Sequence, residues 1–177
     1  LVEQGYTTKG RIVAHGYSAG GLLMGAVYTM RPDLWAGVIA QVPFVDPLNT
    51  LDHFETHPLR GTGLKIWGDP RIADEYDYIA SYSPYDNLKA AAYPALLATG
   101  NVADERVSFF EPLKFAAKAR ALTTAGNPVM VRISMLGGHV FPQGSKAARE
   151  QDAQFGAFAI WAAGRRSTSN RTRGFGP

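Results

Sequence analysis

The sequence contains one short stretch whose residue types and spacing could make a serine reactive. Ser18 lies in the pattern Gly16-Tyr17-Ser18-Ala19-Gly20, between an apolar run and a segment with helical character. In a strand, turn and helix arranged this way, the turn is so tight that the serine adopts a strained backbone and exposes its hydroxyl. Small residues at the two outer positions fit the close approach of the strand and helix backbones. The pattern is a weak signal by itself, so its meaning depends on the rest of the chain.

Two other side chains are candidates to activate this serine. Asp104 ends the segment NVAD and His139 ends the segment LGGH, and each segment follows a predicted strand. A neutral imidazole can accept the serine proton near pH 7, and a carboxylate behind it fixes the tautomer and stabilises the imidazolium. The chain order Ser, Asp, His is the order found in α/β hydrolases. We therefore expect a catalytic triad of Ser18, Asp104 and His139, with neighbouring Glu105 as the competing acid.

The other histidines and acidic residues do not point to a metal site. His53 and His57 are four residues apart, a spacing that can hold zinc on a helix, but Pro58 and the missing glutamate argue against it. His15 is expected to be a hydrogen-bonded structural residue. Three clustered acids, Asp74, Glu75 and Asp77, are interpreted as the solvent-exposed face of a helix. The chain has no cysteine, and we expect neither a metal nor a cofactor.

Predicted strands and helices alternate along the chain and place the three candidate side chains at one edge of a sheet. The strands are predicted at 12–14, 36–42, 95–99 and 129–135, and the helices at 20–30, 73–81, 107–124 and 146–163. The segment 43–70 has no clear period and is expected to form a long excursion above the sheet. Because the carboxyl ends of parallel strands meet at one edge, residues that follow three different strands come together there. The sequence therefore predicts an α/β fold with a mostly parallel sheet and flanking helices.

Length and composition fit one globular domain and exclude several other classes. The 177 residues are 46% apolar, which is enough for a hydrophobic core, and no apolar run has the length of a membrane span. The formal charge is +3, but four arginines lie in the segment 165–177, and without them the charge is −1. We therefore expect no membrane and no nucleic-acid partner, and we divide the chain into a domain at 1–164 and a disordered basic tail at 165–177.

Several short motifs together resemble one known family. They are GYSAGGLLMG at 16–25, RPDL at 31–34, QVPFVD at 41–46, WGDP at 67–70, SYSPYDN at 81–87, RV at 106–107, EP at 111–112 and GH at 138–139. Over residues 10–161 the chain resembles the oligopeptidase B group of the prolyl oligopeptidase family of serine peptidases. The resemblance implies the carboxyl-terminal portion of an α/β-hydrolase catalytic domain that cleaves short peptides through an acyl-enzyme. It implies Ser18, Asp104 and His139 as the triad and the backbone N–H of Ala19 as one oxyanion donor.

The resemblance also carries expectations about partners. The family's upstream strands and β-propeller have no counterpart in these residues, and the family's second oxyanion donor, a tyrosine, belongs to that upstream part. We therefore expect the missing amino-terminal part of the same enzyme as a partner, together with a short peptide substrate. The chain begins at Leu1 without a methionine or a signal peptide, so its true start is expected upstream, and its location is expected to be cytoplasmic or periplasmic.

The family's pocket for a basic substrate side chain is altered in this sequence. The family has a Gly-Glu-aromatic-Glu-Glu-Trp stretch whose glutamates bind a basic P1 side chain, whereas this chain reads TGLKIW at 62–67. Lys65 in place of those carboxylates would repel an arginine or lysine side chain, so we expect a P1 preference altered from basic. Tyr17 replaces the family's glycine before the nucleophile. We assign Tyr17, Lys65 and Arg106 to the substrate pocket.

Two other functions remain open at this level. The same triad would serve an esterase or another acyl hydrolase, and the relative turnover of aryl esters and peptide amides would separate that function from a peptidase. The chain would instead be a truncated, non-catalytic domain if it has lost the rest of its sheet. Four parallel strands with half a sheet absent expose an apolar edge, which favours poor stability or aggregation.

Overall fold

The computed structural model describes residues 1–53 and 62–164, which form a four-stranded parallel sheet with helices packed on both faces. The expectations about His57 and about a tail at 165–177 concern residues outside these ranges, and the division of the chain at 164 stays a prediction. Among the helices of the described residues, none combines the length and the hydropathy needed to cross a membrane.

Strands and helices alternate along the chain, as predicted. The strands are β1 (Ile12–Tyr17), β2 (Trp35–Gln41), β3 (Ala95–Asn101) and β4 (Val129–Ser134). The helices are α1 (Ala19–Met30), α2 (Pro47–Asp52), α3 (Thr62–Trp67), α4 (Ala73–Tyr82), α5 (Phe110–Leu122) and α6 (Lys146–Gly164), with a short 3₁₀ turn at Pro32–Leu34. The predicted α/β architecture with a mostly parallel sheet is confirmed.

The sheet order follows the chain order, β1-β2-β3-β4, and every neighbouring pair is parallel. β2 and β3 are the central strands, and apolar side chains such as Val38 and Leu96 are completely buried there because helices cover both faces. The register aligns the carboxyl ends, since Tyr17 pairs with Gln41 and Gln41 pairs with Thr99. The residues that follow β1, β3 and β4 therefore start from the same edge of the sheet.

Two hydrophobic layers enclose the sheet and hold its strands in place. On one face, α1 and α5 contribute Tyr28 and Phe115, whose buried rings meet edge to face with centroids 5.9 Å apart. On the other face, α6 contributes Phe158 and Ala162, which pack closely over Gly37 of β2. A Cβ at position 37 would lie 2.9 Å from the Ala162 Cβ, so only glycine allows this approach.

Two element boundaries differ from the predictions by three residues, and one segment without a predicted period contains helices. β1 continues to Tyr17 rather than ending at 14, because it pairs with β2 over its whole length. α5 begins at Phe110 rather than at 107, because the Asp104 carboxylate accepts the backbone N–H groups of Arg106 and Val107 and holds this stretch in a turn. The described part of 43–70 includes α2 and α3, each six residues long. Helices this short contain too few turns for a repeating pattern of apolar residues to be recognised in the sequence.

Candidate active site

Ser18 is the single residue between β1 and α1, and it occupies a strained backbone conformation. Its φ is 55° and its ψ is −116°, a region that costs a non-glycine residue about 1–3 kcal/mol. The turn is held by the Ser18 N–H, which donates to the Gln41 carbonyl at 2.9 Å, and by the Ser18 carbonyl, which accepts from Gly21 N–H at 2.8 Å. Hydrogen bonds to the neighbouring strand β2 and to helix α1 therefore hold the strained conformation.

The glycines of the elbow have different roles. A Cβ on Gly16 would lie 2.2 Å from the Gly20 carbonyl oxygen, so position 16 requires glycine. A Cβ on Gly20 would meet no atom within 4 Å, so an added side chain would be crowded at position 16 and not at position 20. The second crowded position is Gly21, where a Cβ would lie 2.6 Å from the Pro43 Cα.

The structure brings the three side chains predicted from chain order into direct contact. The Ser18 Oγ lies 2.9 Å from His139 Nε2, and His139 Nδ1 lies 2.9 Å from Asp104 Oδ2 and 3.0 Å from Oδ1. Because a carboxylate can only accept at Nδ1, that nitrogen carries the proton and Nε2 is left to accept from the serine hydroxyl. The His139 and Asp104 side chains are 4% and 0% exposed, so water competes little for these bonds.

Asp104, rather than Glu105, provides the carboxylate that contacts the imidazole. Burial acts to raise the pKa of Asp104, but the hydrogen bonds from His139 and from two backbone N–H groups outweigh it and hold that pKa below its ordinary value. The Glu105 side chain is 61% exposed, and its Oε2 accepts the backbone N–H of His139 at 3.3 Å. The two acids therefore contact the ring and the main chain of the same histidine.

The backbone N–H of Ala19, the predicted oxyanion donor, lies in the first turn of α1, directly after Ser18. The residue is exposed, and no acceptor for this N–H occurs among the hydrogen bonds of the described residues. The first N–H groups of a helix have no partner inside the helix and carry partial positive charge. This donor is therefore available to an oxygen atom placed beside the serine.

The three residues assigned to a substrate pocket lie in different surroundings. The Tyr17 ring packs against His139 with centroids 5.0 Å apart, and its hydroxyl donates to the His139 carbonyl at 3.1 Å. The Arg106 guanidinium is exposed, although its backbone N–H is used by Asp104. Lys65 is exposed on α3 and takes part in none of the contacts described above. The structure thus brings the Tyr17 ring against His139 and the main chain of Arg106 against Asp104, and the place of Lys65 in a substrate pocket stays a prediction.

Asn101, which the sequence interpretation passed over, supports the loop that carries His139. It is the last residue of β3, and its Nδ2 donates to the Gly138 carbonyl at 2.7 Å. The residue is 2% exposed. The signal available in the sequence was its position at a strand end, in the same segment as Asp104.

Glu111 is a second residue whose role was not predicted, although its motif was part of the resemblance. Its buried carboxylate accepts the N–H groups of Val45 and Asp46 at 2.8 and 3.0 Å and the Thr50 hydroxyl at 2.9 Å. Burial raises the pKa of Glu111 to about 7, against the effect of these hydrogen bonds. The Lys114 ammonium contacts the neighbouring Asp46 carboxylate and supplies positive charge there.

The remaining histidines and acids lie outside this site. His15 Nε2 lies 3.0 Å from Gln41 Oε1, so it is hydrogen-bonded as expected, although it is exposed. Asp74 and Asp77 are exposed, whereas Glu75 accepts the Asp69 N–H at 2.5 Å and so stabilises the turn before α4 rather than only facing solvent. No group of three or more potential metal ligands occurs in the part of the chain that the structure describes.

Comparison with known proteins finds relatives that are much longer than this chain. Residues 1–166 match the model described as the prolyl oligopeptidase family. Dipeptidyl aminopeptidase BI of Pseudoxanthomonas mexicana is 42% identical over 160 residues, which are 90% of this chain and 22% of that protein. Protease 2 of Moraxella lacunata is 39% identical over 161 residues, again 90% of this chain, and 23% of that protein. The chain therefore spans about a fifth of the length of these curated relatives.

Solved structures share the fold. Oligopeptidase B from Leishmania major has a TM-score of 0.86 at 38% identity, over 92% of this chain and 22% of that one. Oligopeptidase B from Trypanosoma brucei, solved with covalently bound antipain, has a TM-score of 0.88 at 37% identity, over 94% of this chain and 23% of that one. These likenesses confirm the α/β-hydrolase fold predicted from the sequence.

Proposed function

Because the chain belongs to the prolyl oligopeptidase family of serine peptidases, we propose that it carries a peptidase triad with Ser18 as nucleophile, His139 as general base and Asp104 as its orienting acid. The observation that carries this proposal is a pair of hydrogen bonds: His139 Nε2 contacts the Ser18 hydroxyl, and His139 Nδ1 contacts the buried carboxylate of Asp104. An isolated serine hydroxyl is a poor nucleophile, and a hydrogen-bonded base that is oriented by a carboxylate activates it.

The reaction uses these contacts in two halves. His139 Nε2 takes the proton as Ser18 Oγ attacks the scissile carbonyl, and the ionised Asp104 stabilises the imidazolium that forms. His139 then gives that proton to the leaving amine as the peptide C–N bond breaks, which leaves the substrate acyl group on Ser18. A water molecule attacks this ester with His139 again as base, and the acid product and free serine are released.

The backbone N–H of Ala19 serves as one donor to the oxygen that becomes negative during each attack. It lies one residue after the nucleophile, and it is free among the described residues. Charge on that oxygen develops only in the transition state, so a donor already aimed at it accelerates the reaction. A second donor is expected from upstream sequence, and lacking one such donor costs on the order of 10²–10³ in turnover.

Short peptides without a basic P1 residue are the proposed substrates. A relative at 42% identity is named a dipeptidyl aminopeptidase and a solved structure at 38% identity is an oligopeptidase B, and both names refer to peptides. The segment 62–67 has no acidic residue and carries an exposed Lys65, which disfavours an arginine or lysine side chain nearby. Turnover of otherwise identical peptides with apolar and basic P1 residues tests this preference.

An amino-terminal part of the same enzyme is the proposed partner. The chain covers 22–23% of its relatives, so four fifths of their length has no counterpart here. Among the described residues β1 is paired on one side only, which leaves an edge where further strands of a larger sheet would join. Reading the coding sequence upstream of Leu1 tests this proposal directly.

Labelling with a fluorophosphonate probe tests the nucleophile. We expect the intact protein to be labelled and Ser18→Ala to abolish the labelling. The matched control is Ser81→Ala, because Ser81 is an exposed serine on α4 whose hydroxyl donates only to the Tyr78 carbonyl. Labelling that survives Ser18→Ala would exclude Ser18 as the nucleophile, and faster turnover of aryl esters than of any peptide amide would favour an esterase.

A further inference from the structure

The loop that carries His139 is held at its main chain by three side chains. The Gly138 carbonyl accepts from Asn101 Nδ2 at 2.7 Å, and the His139 carbonyl accepts from the Tyr17 hydroxyl at 3.1 Å. The His139 N–H donates to Glu105 Oε2 at 3.3 Å. These side chains come from β3, from β1 and from the loop after β3.

This loop has little else to fix its path. Residues 135–145 between β4 and α6 include no helix or strand, and Gly137 adopts a left-handed conformation with φ of 86°. Met135, Leu136 and Val140 are 76%, 73% and 63% exposed, so apolar burial anchors the loop weakly around the histidine. The orientation of the imidazole therefore depends on polar contacts to its main chain.

Tyr17 differs from the other two side chains because it is the residue directly before Ser18. The strained turn that fixes Ser18 also fixes the end of β1, and with it the direction of the Tyr17 side chain. Its ring packs against the imidazole with planes inclined by 52°, while its hydroxyl reaches past the ring to the carbonyl. Burial, followed by the nearby Asp104 carboxylate, raises the pKa of the Tyr17 phenol, so it remains a donor.

We propose that Tyr17 is a positioning residue, whose hydroxyl ties the main chain of His139 to the nucleophile elbow and so sets the distance between imidazole and serine. This inference rests on the proposed function, since it concerns the same triad. It gives the residue before the serine a role beyond lining the substrate pocket. A donor at the end of a strand holds this irregular loop in the geometry that proton transfer requires.

The test is Tyr17→Phe, which keeps the ring and removes only the hydroxyl. We expect kcat for a peptide substrate to fall by about threefold to tenfold, as for one lost hydrogen bond, with KM nearly unchanged. Labelling by a small fluorophosphonate should slow by the same factor. The matched control is Tyr78→Phe, because Tyr78 is 68% exposed on α4 and its ring packs against Tyr82, with centroids 5.5 Å apart.

Amide hydrogen exchange separates this inference from the proposed function. In Tyr17→Phe, but not in Tyr78→Phe, residues 137–141 should exchange faster while β1 keeps its protection. A raised KM with unchanged kcat would overturn the inference in favour of a pocket role, and unchanged exchange at 137–141 would also overturn it. If exchange at 137–141 is faster in Tyr17→Phe but labelling survives in Ser18→Ala, the hydrogen bond from Tyr17 to the His139 main chain is supported and the proposed triad is rejected.

Discussion

At the scale of single residues, Asp104 links the candidate site to the pH dependence of stability. Its pKa lies below the ordinary 3.8 because hydrogen bonds to the carboxylate outweigh burial. An acid with a lowered pKa stabilises the folded chain at pH values above its unfolded pKa, and that contribution is lost as the pH falls through the folded value. Acidification should therefore weaken the fold and the orientation of His139 together.

Asp104→Asn should lower the rate of fluorophosphonate labelling by up to about 10⁴-fold, because an amide at this place does not hold the imidazole in the reactive tautomer. The measurement is the labelling rate at neutral pH in protein with an unchanged circular dichroism spectrum. Glu105→Gln is the control, since its amide oxygen can still accept the His139 N–H. An equal loss in both variants would contradict the separate roles assigned to the two acids.

Glu111 should act in the opposite direction on stability. Its pKa is raised by burial to about 7 in the folded chain, against an ordinary value of 4.5. The folded state then binds a proton more tightly than the unfolded state, so this contribution is complete below about pH 4.5 and is lost as the pH rises through 7. The shift corresponds to about 3 kcal/mol at most.

Glu111→Gln should flatten the fall in unfolding free energy between about pH 4.5 and 7, because the amide does not ionise. The glutamine oxygen can accept the two N–H groups and its NH₂ can donate to the Thr50 hydroxyl, so the fold is expected to persist. Urea denaturation at a series of pH values measures this, with the exposed Glu150→Gln as control. Parallel pH profiles in wild type and Glu111→Gln would show that Glu111 does not titrate in this range.

Chain order and strand ends predicted which serine and histidine come together, whereas the family resemblance was also needed to favour Asp104 over the adjacent Glu105, because both acids follow the same strand. The contact of Tyr17 with His139 could not be predicted, because it joins residues 122 positions apart through a loop with no periodic pattern. Glu111 could not be recognised as buried either. An acid in the first turn of a helix is usually solvated, and only the path of Val45 and Asp46 above α5 encloses it.

At the scale of elements, the contact between α1 and the segment after β2 controls the elbow. Pro43 lies against Gly21, and the Phe44 N–H approaches the Ser18 carbonyl at 3.4 Å. Any displacement of this segment from α1 therefore moves the backbone of the nucleophile. In the first turn of α1, positions that face this segment should therefore tolerate added side-chain volume less well than positions that face solvent.

Gly21→Ala and Gly20→Ala form a matched pair that tests this packing. At position 21 the new Cβ meets backbone, so we expect a loss of about 1–3 kcal/mol in unfolding free energy. At position 20 the Cβ meets open space, and alanine should stabilise the helix by up to about 1 kcal/mol. Thermal denaturation of both variants is the measurement, and equal effects would contradict the described contact with Pro43.

The long helix α6 was predicted to within one residue, the start of α5 was missed by three residues, and the six-residue helices α2 and α3 were not predicted. α6 was expected at 146–163 and spans Lys146–Gly164, because its aromatic residues repeat at helical spacing. The start of α5 was displaced by a tertiary contact, since the Asp104 carboxylate holds residues 104–107 in a turn. Sequence periodicity contains no information about such a contact.

At the scale of the whole molecule, the outer edge of β1 should decide the association state. Within the described residues this strand has hydrogen-bonded neighbours on one side only, and unpaired strand edges recruit other chains. We expect the 177-residue chain alone to self-associate as its concentration rises, and sedimentation velocity over a concentration series measures this. The same chain joined to upstream strands should sediment as a single species, and a monomeric isolated chain would contradict the prediction.

The parallel strand order also has a consequence for the time at which the site exists during synthesis. Ser18 precedes His139 by 121 residues, and the loop that carries the histidine follows the last strand of the sheet. At a translation rate of 5–20 residues per second, the hydroxyl is made roughly 6–24 s before the imidazole that contacts it. A nascent chain therefore displays an ordinary, unactivated serine to its surroundings until nearly all of this segment has left the ribosome.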